Sequence, residues 1–165
     1  MIQSKKLLII FLLVPVIALA TLTAYKKSIV TFGREVILPI SGYDPRDLLS
    51  GHYLIYRVDY GIETVCDHKF TPGEPAYLCL TPRMFSFFPT HNCDLEIIGA
   101  CNNSRFEAGI EKFYVPQEKA LELEKLIQSK KAGIKIAVTP DGKAQVKDLL
   151  IDGKPWTEMI AKEEK

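Results

Sequence analysis

Ile134-Lys135-Ile136-Ala137-Val138-Thr139-Pro140-Asp141-Gly142-Lys143-Ala144-Gln145-Val146-Lys147-Asp148-Leu149-Leu150-Ile151 is the stretch that decides the fold. Two aliphatic runs, Ile134 to Thr139 and Ala144 to Ile151, flank a Pro-Asp-Gly-Lys tetrapeptide made of turn residues, which predicts a hairpin and antiparallel pairing. Upstream, Gly133 is a stop signal for the one long helical pattern, about 117–130. Ala120, Leu123, Leu126 and Ile127 recur there at helical spacing, while Glu118, Glu122, Lys125 and Lys130 face water. Further upstream the period drops to two. Val36-Leu38-Ile40 and the interleaved Tyr53-Ile55-Arg57 and Leu54-Tyr56-Val58 predict half-buried strands, and 76–81 and 95–100 are short apolar runs. Asn102-Asn103 suits the positive φ of a tight turn into a strand from Arg105 to Ile110. Downstream, Asp152-Gly153 starts another turn, Trp156 covers one end of the core, and a charged tail frays from Met159. The expected class is α+β, a small antiparallel β-sheet domain with one main helix.

The N-terminal part reads differently. Leu7 to Ala24, LLIIFLLVPVIALATLTA, is eighteen residues without a charge, close to the ~20 needed to cross ~30 Å of hydrocarbon. Pro15 is tolerable in such a helix. Ala18 and Ala20 resemble a signal-peptide cleavage site. The apolar run continues past them, and Tyr25 with Lys26-Lys27 forms an interfacial anchor, so an uncleaved transmembrane helix is the preferred reading. The resulting organisation is a cytoplasmic flank and anchor over 1–27, an extracytoplasmic domain over 28–156 on a short stalk, and a charged tail over 157–165. Charge excludes a basic nucleic-acid binder: 21 Lys+Arg face 20 Asp+Glu, a net of +1, without the concentrated positive face that phosphate binding needs.

Four cysteines, Cys66, Cys79, Cys93 and Cys101, follow the anchor, and stable disulfides belong to exported space. A strand over 95–100 holds Cys93 and Cys101 about 26 Å apart at ~3.3 Å per residue, beyond the reach of one bridge. Cys66 and Cys79 are therefore each expected to bridge to one of that pair, in either combination. A weaker alternative uses Cys66 with His68 and His91 with Cys93, whose two-residue spacings suit a Cys₂His₂ zinc or copper(I) set. No metal or other cofactor is otherwise called for.

Three segments, in order along the domain, carry a resemblance. Asp44-Pro45-Arg46-Asp47-Leu48-Leu49-Ser50-Gly51 is similar to DPRDLLRG, Gly109-Ile110-Glu111-Lys112-Phe113-Tyr114-Val115-Pro116 to GIERYFVPE, and Leu149-Leu150-Ile151-Asp152-Gly153-Lys154-Pro155 to LLIDGKP. These are stretches of the GDYXXLXY family of membrane-anchored bacterial proteins, which the chain resembles. The resemblance implies one N-terminal membrane helix, a compact outer domain, no established biochemical activity and a polytopic membrane protein as a possible partner. Gly51 and Tyr53 match the naming motif, whereas His52, Tyr56 and Val58 replace its Asp, Leu and final Tyr. A carboxylate chemistry at that Asp is thereby unavailable, which favours a structural role for the motif.

The residues allow few chemical sites. Asp44, Arg46 and Asp47 read as a helix cap with a local ion pair around Pro45, the alternative being a grip on an anionic ligand. Glu111 reads as the buried partner of Arg46 or Lys112, or else as an acid of raised pKa. Ser41, Pro45 and Gly51-His52 superficially echo the order of motifs in type I signal peptidases, which are also anchored and β-rich. The lysine base such a serine requires has no matching position, Lys69 included. Phe85, Phe87 and Phe88 form the densest aromatic cluster. They read either as a core-filling strand or, because they point to both faces, as an interaction patch. The sequence thus predicts a single-pass inner-membrane protein with a cytoplasmic N-terminus and a periplasmic domain, which touches lipid through residues 7–24. It acts by interaction rather than catalysis. A ligand- or metal-binding sensor is the second reading, and a hydrolase is the least supported.

Overall fold

Helix α1 (Ile2–Phe32) contains Pro15 without breaking. In the computed structural model, which describes residues 2–44, 53–62, 66, 73–90, 92–102 and 104–163, its apolar side chains stand outward: Phe11 is 85% and Leu19 65% exposed. Ile10–Phe32 is long and apolar enough to cross a membrane. The helix does not end at Lys27. It continues to Phe32, where the Gly33 N–H donates to the Ile29 carbonyl at 2.9 Å, and β1 (Arg34–Asp44) starts at the next residue. Only Gly33 separates this helix from the first strand. Ile29 is buried against the domain, and Gly33 lies so near strand β8 (Ala132–Val138) that a Cβ would come within 3.0 Å of the Ala137 Cβ.

The other elements are β2 (Tyr53–Val58), β3 (Pro75–Leu80), β4 (Arg83–Ser86), β5 (Glu96–Asn102), β6 (Arg105–Glu107), β7 (Lys112–Tyr114), α2 (Gln117–Ser129), β9 (Ala144–Ile151), β10 (Lys154–Pro155) and α3 (Trp156–Glu163). The fold is α+β and antiparallel, as expected, but the strands divide into two sheets. One has the order β10-β9-β8-β1-β2-β7 and the other β4-β3-β5-β6. Alternation explains the burial. Ile134 and Ile136 of β8, Leu149 and Ile151 of β9, Leu54 and Tyr56 of β2, and Ala76 and Leu78 of β3 join one core with Leu123 and Leu126 of α2.

The β8–β9 hairpin forms as its turn residues dictate. The Thr139 N–H donates to the Lys143 carbonyl at 2.9 Å, and Gly142 takes φ +77°, where a Cβ would also collide with Ile98. Its tip fastens three parts together. Ile98 N–H of the second sheet donates to the Gly142 carbonyl at 2.8 Å, and Lys143 Nζ donates to the Tyr25 hydroxyl of α1 at 2.8 Å while pairing with Asp141 at 3.0 Å. The Tyr25 hydroxyl, then the Asp141 carboxylate, raise the Lys143 pKa and keep it charged.

Three local expectations change. The positive φ of the β5–β6 turn falls on Ser104, at 61°, rather than on Asn102; Asn103 lies outside the described residues. Met159 onward does not fray at once: α3 runs to Glu163 and buries Ile160, a residue the charged neighbours concealed. The short helix expected after Asp44 lies outside the described residues, and Asp44 itself closes β1 opposite Ile55.

Candidate functional site

Two of the family-like segments meet in space. β2, which carries the naming motif, pairs with β7 in the register Tyr53↔Tyr114, Leu54↔Phe113 and Ile55↔Lys112. The Tyr56 hydroxyl donates to the Ile110 carbonyl at 2.7 Å and its N–H to the Glu111 carbonyl at 3.2 Å. Glu111 Oε1 accepts the Ala108 N–H at 2.7 Å and the Tyr60 hydroxyl at 3.3 Å. Glu111 is thus half-buried, as a closing brace on the 108–111 turn around Gly109. The expected Arg46 partner lies outside the described residues. Burial first, and then the Glu111 carboxylate, push the Tyr56 and Tyr60 hydroxyls well above the ordinary tyrosine range. Both stay protonated donors. The arrangement closes a turn.

The remaining motif residues act similarly. Pro116 precedes α2 as its N-cap residue and accepts the Lys119 N–H at 3.0 Å. Asp152 and Gly153 form the β9–β10 turn, where Asp152 exchanges bonds with Lys131: its N–H donates to the carbonyl at 2.8 Å, and its Oδ1 accepts the N–H at 3.2 Å. Pro45, Arg46, Asp47 and Gly51 lie outside the described residues, as do His52 and Lys69. Ser41 is exposed on β1.

The disulfides are Cys66–Cys101 and Cys79–Cys93, with Cα separations of 5.6 and 5.7 Å. Strand length excludes the third pairing, and the sequence alone leaves the choice between the other two open. Cys66 and Cys93 therefore serve different bridges rather than one ion, while His68 and His91 lie outside the described residues. Tyr60, Phe106, Phe85 and Phe87 form a chain of edge-to-face rings with centroids 5.4, 5.8 and 5.2 Å apart in turn. The supposed patch is thus divided: Phe85 and Phe87 pack on the core, while Phe88 is 78% exposed.

One feature was not foreseen. A groove of about 390 Å³ runs between the first half of β1 and the β3–β4 hairpin, flanked by Glu35, Ile37, Tyr60, Arg83 and Leu95. Its walls come from four segments distant in sequence, so no local motif announces it.

Fold and site together define a two-sheet α+β domain carried on a long apolar helix, held by two disulfides and a tyrosine–glutamate brace. The chain belongs to the GDYXXLXY protein family, whose model matches residues 15–149. No curated protein and no solved structure matches it.

Proposed function

We propose that this chain is a single-pass protein of the bacterial inner membrane, with a cytoplasmic N-terminus and a periplasmic domain. It works as an interaction or accessory component of a membrane-protein assembly. The observation that carries this reading is the direct passage from an exposed apolar helix into a disulfide-bonded domain, with only Gly33 between α1 and β1. Apolar side chains that meet no protein surface call for lipid or a neighbouring helix. Oxidised cysteine pairs call for an exported compartment, and they rather than the charges support the orientation, since lysines flank the apolar run on both sides.

The brace supports an accessory role, since its polar groups hold strands and turns together. Blue-native electrophoresis of the full chain, extracted in mild detergent from its own membranes, tests the reading. The expected result is a discrete band well above the 18.6 kDa chain and its micelle. Migration as a lone monomer would contradict it.

A further inference from the structure

We propose that the open edge of β1 at Glu35 and Ile37 receives an extended, acidic peptide segment as an added strand. This rests on the interaction reading above and names the chemistry of the partner. β1 pairs with β8 from Arg34↔Val138 to Pro39↔Gly133, but with β2 only from Ile40↔Val58 onward. The last rung on the β2 side is the Asp59 N–H donating to the Pro39 carbonyl at 2.9 Å. Two residues on, Gly61 takes φ +69° and leaves the extended conformation of the strand. Backbone groups alternate sides along an antiparallel strand. Residues in phase with Pro39, namely Ile37 and Glu35, therefore direct their N–H and carbonyl groups into the groove. Among the described residues no backbone group meets them there.

Natural sheets blunt such edges with charges, bulges or a covering element. Here the Ile37 side chain is 58% exposed, and the Glu35 carboxylate is neutralised by Lys147 and Lys135. Across the groove stand Leu80 and Leu95, an apolar wall for alternate side chains of a docked strand. The charge of the occupant follows from Arg83. Its guanidinium lies over Gly61, where a Cβ would come within 2.5 Å of its nitrogen, and it has no acidic partner among the described residues. Arg34 is already paired with Asp94 at 2.8 Å, and Asp59 Oδ1 accepts the Gly61 N–H at 2.8 Å. Among the described residues that line the groove, Arg83 is thus the cation that no carboxylate pairs with. The open edge, Arg34 to Leu38, is about 16 Å long at ~3.3 Å per residue, enough for a strand of four or five residues. In strand addition, main-chain bonds supply affinity and side chains supply selectivity.

The test uses the full chain in detergent micelles. The probes are an eight-residue peptide of alternating Val and Thr with one central Glu, and its Lys counterpart. The Glu peptide should slow hydrogen exchange at the Glu35 and Ile37 amides and bind about tenfold more tightly than the Lys peptide. Arg83→Glu should reverse that preference. Ile37→Pro, which deletes an N–H on the open side and none in the β8 ladder, should abolish binding; should that variant not fold, Arg83→Glu still decides. Unchanged exchange at both amides, or equal binding of the two peptides, overturns the assignment. So does protection by phosphatidylglycerol vesicles alone, which would make the groove a lipid site. A native-membrane complex that survives both substitutions, with no peptide effect, removes the groove and leaves the interaction reading intact. Peptide binding without any native complex does the reverse.

Discussion

Tyr56 occupies the place of a Leu in the family motif, and its ring and hydroxyl do different work. The residue is 3% exposed within the core, and its hydroxyl reaches the Ile110 carbonyl of the neighbouring motif segment. An aliphatic residue could do the first and not the second. Tyr60 adds the bond to Glu111. Both hydroxyls ionise later in the folded than in the unfolded chain, where the ordinary value is 10.0. Below pH ~10 neither state loses a proton and the full stability is present. Above it the unfolded chain releases protons that the folded one retains, so stability falls by about 1.4 kcal/mol per pH unit for each tyrosine. Tyr60→Phe should lower stability near neutral pH by about 1 kcal/mol through the lost bond, and should make the alkaline decline shallower. Denaturant midpoints of both proteins from pH 8 to 11 provide the check. Identical alkaline slopes would contradict the assignment.

Elements were legible where a pattern was local. The hairpin turn, the period of α2 and the alternation in β1 and β2 each follow from contiguous residues, and each appears in the fold. What escaped depends on contacts between distant segments. The partition of strands into two sheets rests on which edges meet. β4 is ambiguous in the sequence because Phe85 packs on Phe106, a residue in another hairpin, and Phe87 on Phe85, while Phe88 is exposed. α3 was obscured because the single buried Ile160 sits among charges. The cysteines lie between these limits: strand length excludes one pairing, and only the three-dimensional register chooses between the others. The two bridges close intervals of 35 and 14 residues, so chain entropy assigns about 4 kcal/mol to Cys66–Cys101 and about 3 kcal/mol to Cys79–Cys93. Replacing each pair by Ala should lower the melting temperature on the order of 10 °C, with the larger loss for Cys66→Ala/Cys101→Ala. Calorimetry of the two double variants checks the order, and equal or inverted losses would contradict it.

At the scale of the whole molecule, the notable feature is that α1 is built into the domain rather than tethered to it. Ile29 is buried, Gly33 is pressed on Ala137, and Lys143 holds Tyr25. Tyrosine and lysine favour the headgroup level of a bilayer. If α1 crosses the bilayer as proposed above, the Pro140–Lys143 turn lies beside that level and the domain rests close to the membrane. Such a mounting fixes the direction in which the sheets and the groove face, which suits a component that meets neighbours in the same membrane. The central claim is that the helix crosses the bilayer and delivers an oxidised domain to the outer side. The most direct measurement is a pair of fusions after Lys165, one to alkaline phosphatase and one to a fluorescent protein that matures only in the cytosol. Phosphatase activity in membranes that resist alkaline extraction, with no fluorescence, is the expected result; fluorescence without phosphatase activity would overturn this topology.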